Sequence, residues 1–203
     1  MTTLTPAGRP MSAPAGRSLL DRLADGHQSP AWAEFVRLYT PLLQYWLRPH
    51  LLQPADVEDV VQDVLLIVLA KLPEFKPAAP GAFRAWLRAI LSYRLQTFWR
   101  KKIRGPAVGA FDAMLTGLGD PASELSRTWD EEHDRHVIGG LLAIVRPRFM
   151  PSTWQAFWRT AILEESPAAV AVALKLTPNA VFIARSRVMQ RLREEAAGLV
   201  DEA

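Results

Sequence analysis

The 203-residue sequence contains no cysteine, which excludes disulfides, thiolate metal sites and cysteine nucleophiles. Long apolar runs are also missing. The longest, Val64 to Ala70, is far shorter than the roughly 20 residues that a membrane-spanning helix needs. Residues 1–17 lack the apolar core of a signal peptide. We therefore expect a cytoplasmic protein that does not insert into a membrane.

Features of enzyme active sites are scarce as well. The sequence has neither a glycine-rich phosphate loop nor a nucleophile elbow. His133 and His136 lie near Glu132, but no second pair of metal ligands accompanies them. The sequence therefore indicates a protein that is not an enzyme and that holds no metal and no cofactor.

Helical periodicity dominates what is present. Hydrophobic residues make up 49% of the chain, which is enough for a core. They recur at steps of three and four, a spacing that is typical of amphipathic helices. Ser29-Pro30 predicts the beginning of one helix, and Pro41 inside it predicts a kink or a break. The expected fold class is all-α.

The composition divides the chain into two helical domains joined by an acidic linker. Residues 1–17 are rich in Pro, Ala, Gly, Ser and Thr and predict a disordered tail. Residues 18–104 form the first predicted domain and residues 135–203 the second. Residues 105–134 carry seven acids against one arginine and predict the linker, with a short helix around Met114 or Trp129.

Two predicted helices of the first domain carry opposite charge. The segment from Phe83 to Arg104 has seven basic residues, no acid and several interleaved aromatics. Such a helix can bind phosphates and stack on unpaired bases, or it can be an ordinary amphipathic helix with a basic exposed face. The preceding helix has acids at its beginning, which suit either the helix dipole or a binding partner.

The C-terminal segment predicts a helix-turn-helix. Ser166-Pro167 begins a short helix, and Thr177-Pro178 begins the next. In this motif the second helix enters the major groove and reads bases with its N-terminal half. A plain helical hairpin would show the same short pattern.

Three segments together resemble the extracytoplasmic-function sigma factors of bacteria. Residues 56–64, DVEDVVQDV, are similar to the acidic helix with which that family docks on core RNA polymerase. Residues 82–87, AFRAWL, are similar to the start of its promoter-melting helix, and residues 169–194 to its helix-turn-helix. The resemblance implies that residues 18–104 are sigma region two and residues 135–203 sigma region four.

The resemblance also implies the residues that bind each partner. For core RNA polymerase these are Asp56, Asp59, Gln62, Asp63 and Leu66. For promoter DNA they are Lys76, Arg84, Tyr93, Arg100 and Lys101 in region two, and Thr177, Asn179, Ala180, Phe182, Arg185, Ser186 and Arg191 in region four.

The sequence also departs from the family pattern. Tyr93 and Thr97 replace the usual Asn and Asp, and Lys175 replaces a glycine at a turn position that favours a positive φ. The expected function is recognition of the minus-ten and minus-thirty-five promoter elements and initiation of transcription. An anti-sigma factor or a Ser/Thr kinase pathway is an implied regulator. A stand-alone helix-turn-helix regulator and a structural helical interaction protein are the alternatives.

Overall fold

The computed structural model describes residues 17–24, 29–51, 53–102, 116–120 and 122–200. Its α-helices, labelled in chain order, are α1 Leu19–Leu23, α2 Pro30–Leu47, α3 Pro54–Lys71, α4 Ala82–Lys102, α5 Glu124–Val145, α6 Pro151–Phe157, α7 Pro167–Leu174 and α8 Pro178–Ala196. A further helical turn covers 116–119. These ranges contain no β-strand, which confirms the all-α fold class.

Side-chain caps explain where three of the helices begin. Ser29 caps α2 by accepting a hydrogen bond from the Ala31 N–H, and Ser166 and Thr177 cap α7 and α8 in the same way. Each cap satisfies a backbone donor that has no partner inside the helix. A proline follows each cap at the first helical position, where its missing N–H costs nothing.

The predicted break at Pro41 is wrong. Helix α2 runs without interruption from Pro30 to Leu47, with Pro41 inside it and exposed. An internal proline removes one backbone hydrogen bond. The nine buried residues of α2 outweigh that loss, because they hold both halves of the helix on the same core.

The first helical block forms around α2. This helix packs on α1, α3 and α5, and α3 packs on α4. At the centre Phe35 stacks on Tyr39 with 4.4 Å between ring centroids, and Phe83 of α4 meets Tyr39 edge to face at 5.8 Å. The aromatic cluster fixes the N-terminal end of α4 and therefore the direction in which its C-terminal end projects.

Helix α5 includes the position around Trp129 where a short helix was predicted, but it is much longer than expected. It begins at Glu124, inside the segment predicted as linker, and continues to Val145. Trp129 and Val137 are fully buried in the same core as α2, and α5 also contacts α8. The acidic residues of this segment belong to a helix because its opposite face is apolar. The predicted domain boundaries themselves remain a prediction.

The second block consists of α6, α7 and α8. Helix α8 packs on α6, α7 and α5. Val170, Val181 and Ala156 meet in one small cluster, and Val188 meets Val145 and Phe157 in another. These clusters hold the turn between α7 and α8 and leave the opposite side of α8 exposed.

Several predictions fall outside the described residues: the disordered tail over 1–16, the helix around Met114, and Arg104. Among the described residues, no single helix is long and apolar enough to cross a membrane. Helices α7 and α8, which are bent by 103° relative to each other, pass that test of length and composition as a pair.

Candidate functional site

Helix α3 presents a polar face beside a buried valine stripe. Val57, Val60, Val61, Val64 and Val68 are buried. Asp59, Gln62 and Leu66, predicted to bind polymerase, are spaced three and four residues apart and are exposed, Leu66 to 61%. Leu66 is thus an exposed aliphatic side chain among polar neighbours.

Two other acids of α3 pair within the chain. Lys102 of α4 forms an ion pair with Asp56, and Arg94 of α4 forms one with Asp63. Both acids were predicted to bind polymerase. The structure shows that their charges join α3 to α4, so they are not isolated charges on an open surface.

The basic helix α4 is also partly neutralised by α5. Arg84 Nη1 donates a hydrogen bond to Asp134 Oδ2 at 2.7 Å, and Arg88 Nη1 donates one to Asp130 Oδ1 at 2.7 Å. Arg84 was predicted to bind DNA. Its largely buried guanidinium is held by acids of the segment that had been interpreted as linker, and its contact with DNA stays a prediction.

The exposed end of α4 remains basic. Arg100 and Lys101 are exposed, and within the described part of the chain they form no ion pair. Tyr93 is 63% exposed on the same helix, and Lys76 is exposed in the loop before it. Trp86, in contrast, is half-buried and packs on Phe75 with 4.8 Å between ring centroids.

The sequence analysis considered His133 only as a possible metal ligand, whereas the structure buries it between Asp134 and Tyr39. His133 is fully buried, with Nδ1 2.9 Å from Asp134 Oδ1 and Nε2 3.2 Å from the Tyr39 hydroxyl. An ionised carboxylate can only accept, so Nδ1–H donates to Asp134 and Nε2 accepts from Tyr39. Burial lowers the pKa of His133 and outweighs the opposing effect of Asp134. Burial has the opposite effect on Tyr39 and raises the pKa of its hydroxyl, because it disfavours the charged form of each group.

The histidines hold no metal cluster in the part of the chain that the structure describes. No group of three or more His, Cys, Asp or Glu side chains is arranged there to bind a metal ion. His136 Nε2 lies 2.6 Å from the backbone oxygen of Leu38, to which it donates. Both histidines therefore join α5 to α2.

Helices α7 and α8 form the predicted helix-turn-helix, bent by 103°. Lys175 ends α7 in the left-handed conformation, with φ 55° and ψ 42°. The expectation of a positive φ at this position is confirmed. The backbone N–H of Lys175 donates hydrogen bonds to backbone oxygens of α7, and these bonds close the turn and offset the strain of the left-handed conformation.

The exposed residues of α8 include most of those predicted to read DNA. Asn179, Phe182, Arg185 and Ser186 are exposed, as is the cap Thr177, and Ala180 is half-buried. Arg191 differs, because it is half-buried and its guanidinium binds both Glu194 and Glu195. The contact of Arg191 with DNA stays a prediction.

Comparison with known proteins gives matches of two kinds. The family described as Sigma-70 region 2 matches residues 35–105. The ECF RNA polymerase sigma factor SigF of Caulobacter vibrioides (strain NA1000 / CB15N) is 34% identical over 116 residues. That alignment covers 55% of this chain and 64% of the relative, so the chain spans somewhat less than two thirds of the relative's length.

Among solved structures, that of CnrH in complex with the cytosolic domain of CnrY aligns with 86% of this chain and 92% of its own chain. The sequence identity is 24% and the TM-score 0.36. The family match covers α3, α4 and most of α2, the helices that carry the acidic face and the basic end. Residues 35–105 of the chain thus match Sigma-70 region 2, and the chain is similar in sequence to an extracytoplasmic-function sigma factor.

Proposed function

We propose that the chain is a non-enzymatic initiation subunit that binds core RNA polymerase in the cytoplasm and directs it to promoters. The observation that carries this proposal is the region 2 match over residues 35–105, in a chain that also holds an exposed helix-turn-helix. In this proposal the region 2 segment contacts the polymerase and melted DNA, and the helix-turn-helix contacts duplex DNA.

The polymerase contact of this proposal is the face formed by Asp59, Gln62 and Leu66. The valine stripe anchors α3, so this face points away from the core. Asp59 forms no ion pair with any described residue, which leaves its charge available to a basic partner. Leu66 adds apolar area, and exposed apolar residues within a polar rim are typical of protein interfaces.

Charge reversal at Asp59 tests the polymerase contact. The variant Asp59→Lys should weaken binding to core RNA polymerase by tenfold or more in a fluorescence titration, while circular dichroism shows unchanged helicity. The control is Glu131→Lys, which makes the same change of charge at an exposed position on α5. Asp63→Lys is a poorer test because it also breaks the ion pair with Arg94. Equal affinity of the Asp59 and Glu131 variants would contradict the proposal.

The minus-ten contact of the proposal is the exposed end of α4 with the loop before it. Lys76, Arg100 and Lys101 supply positive charge for phosphates. Tyr93 supplies an exposed ring, and stacking of one unpaired base on an aromatic side chain is worth about 1–3 kcal/mol. The aromatic cluster around Phe83 anchors the N-terminal end of this helix on the core.

Removal of the Tyr93 ring tests the contact with melted DNA. With core polymerase, Tyr93→Ala should reduce permanganate reactivity of unpaired thymines on duplex promoters. A template already mismatched across the minus-ten region should recover part of the transcription, because the cost of unpairing is gone. Tyr45→Ala, at a similarly exposed tyrosine of α2, is the control. Normal footprints for Tyr93→Ala would contradict the assignment.

The minus-thirty-five contact of the proposal is α8 in the major groove. Arg185 is exposed and lies in the N-terminal half of α8. Gel shifts with and without core polymerase distinguish this function from a stand-alone helix-turn-helix regulator, which would bind DNA without the polymerase. A structural interaction protein would not shift the DNA specifically, either with or without core polymerase. Regulation by an anti-sigma factor or a Ser/Thr kinase pathway stays a prediction from the resemblance.

A further inference from the structure

The outward face of α8 carries two apolar side chains at its centre. Asn179, Phe182, Ile183 and Ser186 are separated by three, one and three residues, which places them on one face of the helix. Phe182 is 54% and Ile183 44% exposed. The core contacts of α8 come from its other face, so these two side chains are not needed to hold the helix in place.

The surroundings of Phe182 and Ile183 are basic. Arg185, Arg187 and Arg193 are exposed on the same helix, and in the described ranges none of them pairs with an acid. An apolar pair flanked by the unpaired guanidinium groups of Arg185 and Arg187 is poorly suited to an apolar protein groove, because these arginines would lose water without gaining partners. This combination of charge and apolar area suits a polyanion that exposes an apolar group between its charged groups.

Duplex DNA offers such a group in its major groove. The base edges there present hydrogen-bond donors and acceptors, and thymine alone of the four standard bases adds a C5 methyl group. Asn179, on the same face, has the amide that pairs with the N6 and N7 atoms of adenine. The face therefore matches A·T base pairs through two different chemical groups.

We propose that Phe182, with Ile183 beside it, recognises the methyl group of a thymine in the major groove of the minus-thirty-five element. This inference rests on the proposed function, because it assumes that α8 enters duplex DNA. It makes Phe182 a residue that determines the sequence specificity of α8.

Replacement of thymine by deoxyuridine provides the test, because it removes the methyl group and keeps every hydrogen-bonding atom. The full chain with core RNA polymerase first selects duplexes from a random library. Each thymine of the selected upstream element is then replaced in turn. For one or two positions the wild-type affinity should fall about three- to fivefold, the effect of losing one buried carbon.

The same replacements in variants identify the side chain responsible. Phe182→Ala should bind thymine and deoxyuridine duplexes equally well at those positions, and Phe182→Leu should keep part of the preference. Val172→Ala is the control. It removes apolar area that is 82% exposed on α7, and it should leave the full preference for thymine.

Two results would overturn the inference and leave the proposed function intact. One is unchanged wild-type affinity for every deoxyuridine duplex, or a selected element without thymine. The other is an undiminished preference for thymine in the folded Phe182→Ala and Phe182→Leu variants. Failure of the proposed function gives a different result, in which the chain with core polymerase selects no upstream sequence at all, and the inference then falls with it.

Discussion

Arg22 and Glu195, which are 173 residues apart in the sequence, are joined by a hydrogen bond of 2.7 Å from Nη2 to Oε2. Arg148 and Arg191 also donate to the Glu195 carboxylate, which is fully buried. Glu34 of α2 accepts from Arg22 at 2.8 Å. These five residues, the Glu195 cluster, tie the N-terminal helices to the end of α8.

Removal of the central carboxylate of this cluster should destabilise the fold. Glu195→Ala leaves three guanidinium groups without their common acceptor, and breaking a buried ion pair costs about 3–5 kcal/mol. Urea unfolding followed by circular dichroism measures the loss. Glu194→Ala is the matched control, since the neighbouring carboxylate is partly exposed and surface pairs contribute about 0–1 kcal/mol. Equal effects of the two substitutions would show that the cluster does not support the packing.

Two adjacent glycines of α5 should respond to alanine in opposite ways. A Cβ at Gly140 would lie 2.1 Å from Leu38 Cδ1 of α2, whereas one at Gly139 meets nothing within 4 Å. Gly139→Ala should therefore stabilise the helix by about 1 kcal/mol. Gly140→Ala should be less stable than Gly139→Ala by about 1–3 kcal/mol, the cost of overpacking a buried site. Thermal unfolding of both variants measures the difference, and similar stabilities would mean that Leu38 moves aside without cost.

Lys175 should be replaceable by glycine with a gain in stability. Its φ of 55° lies in the left-handed region, where a side chain costs about 1–2 kcal/mol. Lys175→Gly removes this cost but increases the entropy of the unfolded chain, so the net gain should be about 0.5–1 kcal/mol. Lys175→Ala keeps the Cβ atom and should change little. Denaturant midpoints compare the two variants, and a gain for alanine as large as that for glycine would point to charge as the cause.

Stability should decrease as the pH falls from 7 to 5. Burial lowers the pKa of His133 below its ordinary value of 6.5. Below pH 6.5 the unfolded chain therefore binds a proton that the folded chain does not, so acid favours unfolding. His133→Gln should flatten the dependence in urea titrations at several pH values. Some slope should remain, because burial also lowers the pKa of His50. An unchanged slope in the variant would show that His133 is not the titrating group.

The sequence predicted the helices well because their signals are local. Serine and threonine caps followed by proline mark the beginnings of α2, α7 and α8 within a few residues of chain. The spacing of apolar side chains gave the buried stripes of α3 and α8. Helix α2 does not break at Pro41, because burial over the whole length of the helix outweighs one missing hydrogen bond.

By itself the sequence determined an all-helical chain and the beginnings of several helices, and the family resemblance predicted the left-handed turn at Lys175. Only the tertiary structure decided which charges remain available to partners. Arg84 is held by acids of α5, Asp63 by Arg94, and Arg191 by Glu194 and Glu195. The pairs of Asp63 and Arg84 join residues 31 and 50 positions apart on different helices, so their formation depends on how the helices pack, which the local spacing of residues does not encode. The pairs of Arg191 lie within α8 at local spacing, and only the packed structure buries the Glu195 carboxylate to which it binds.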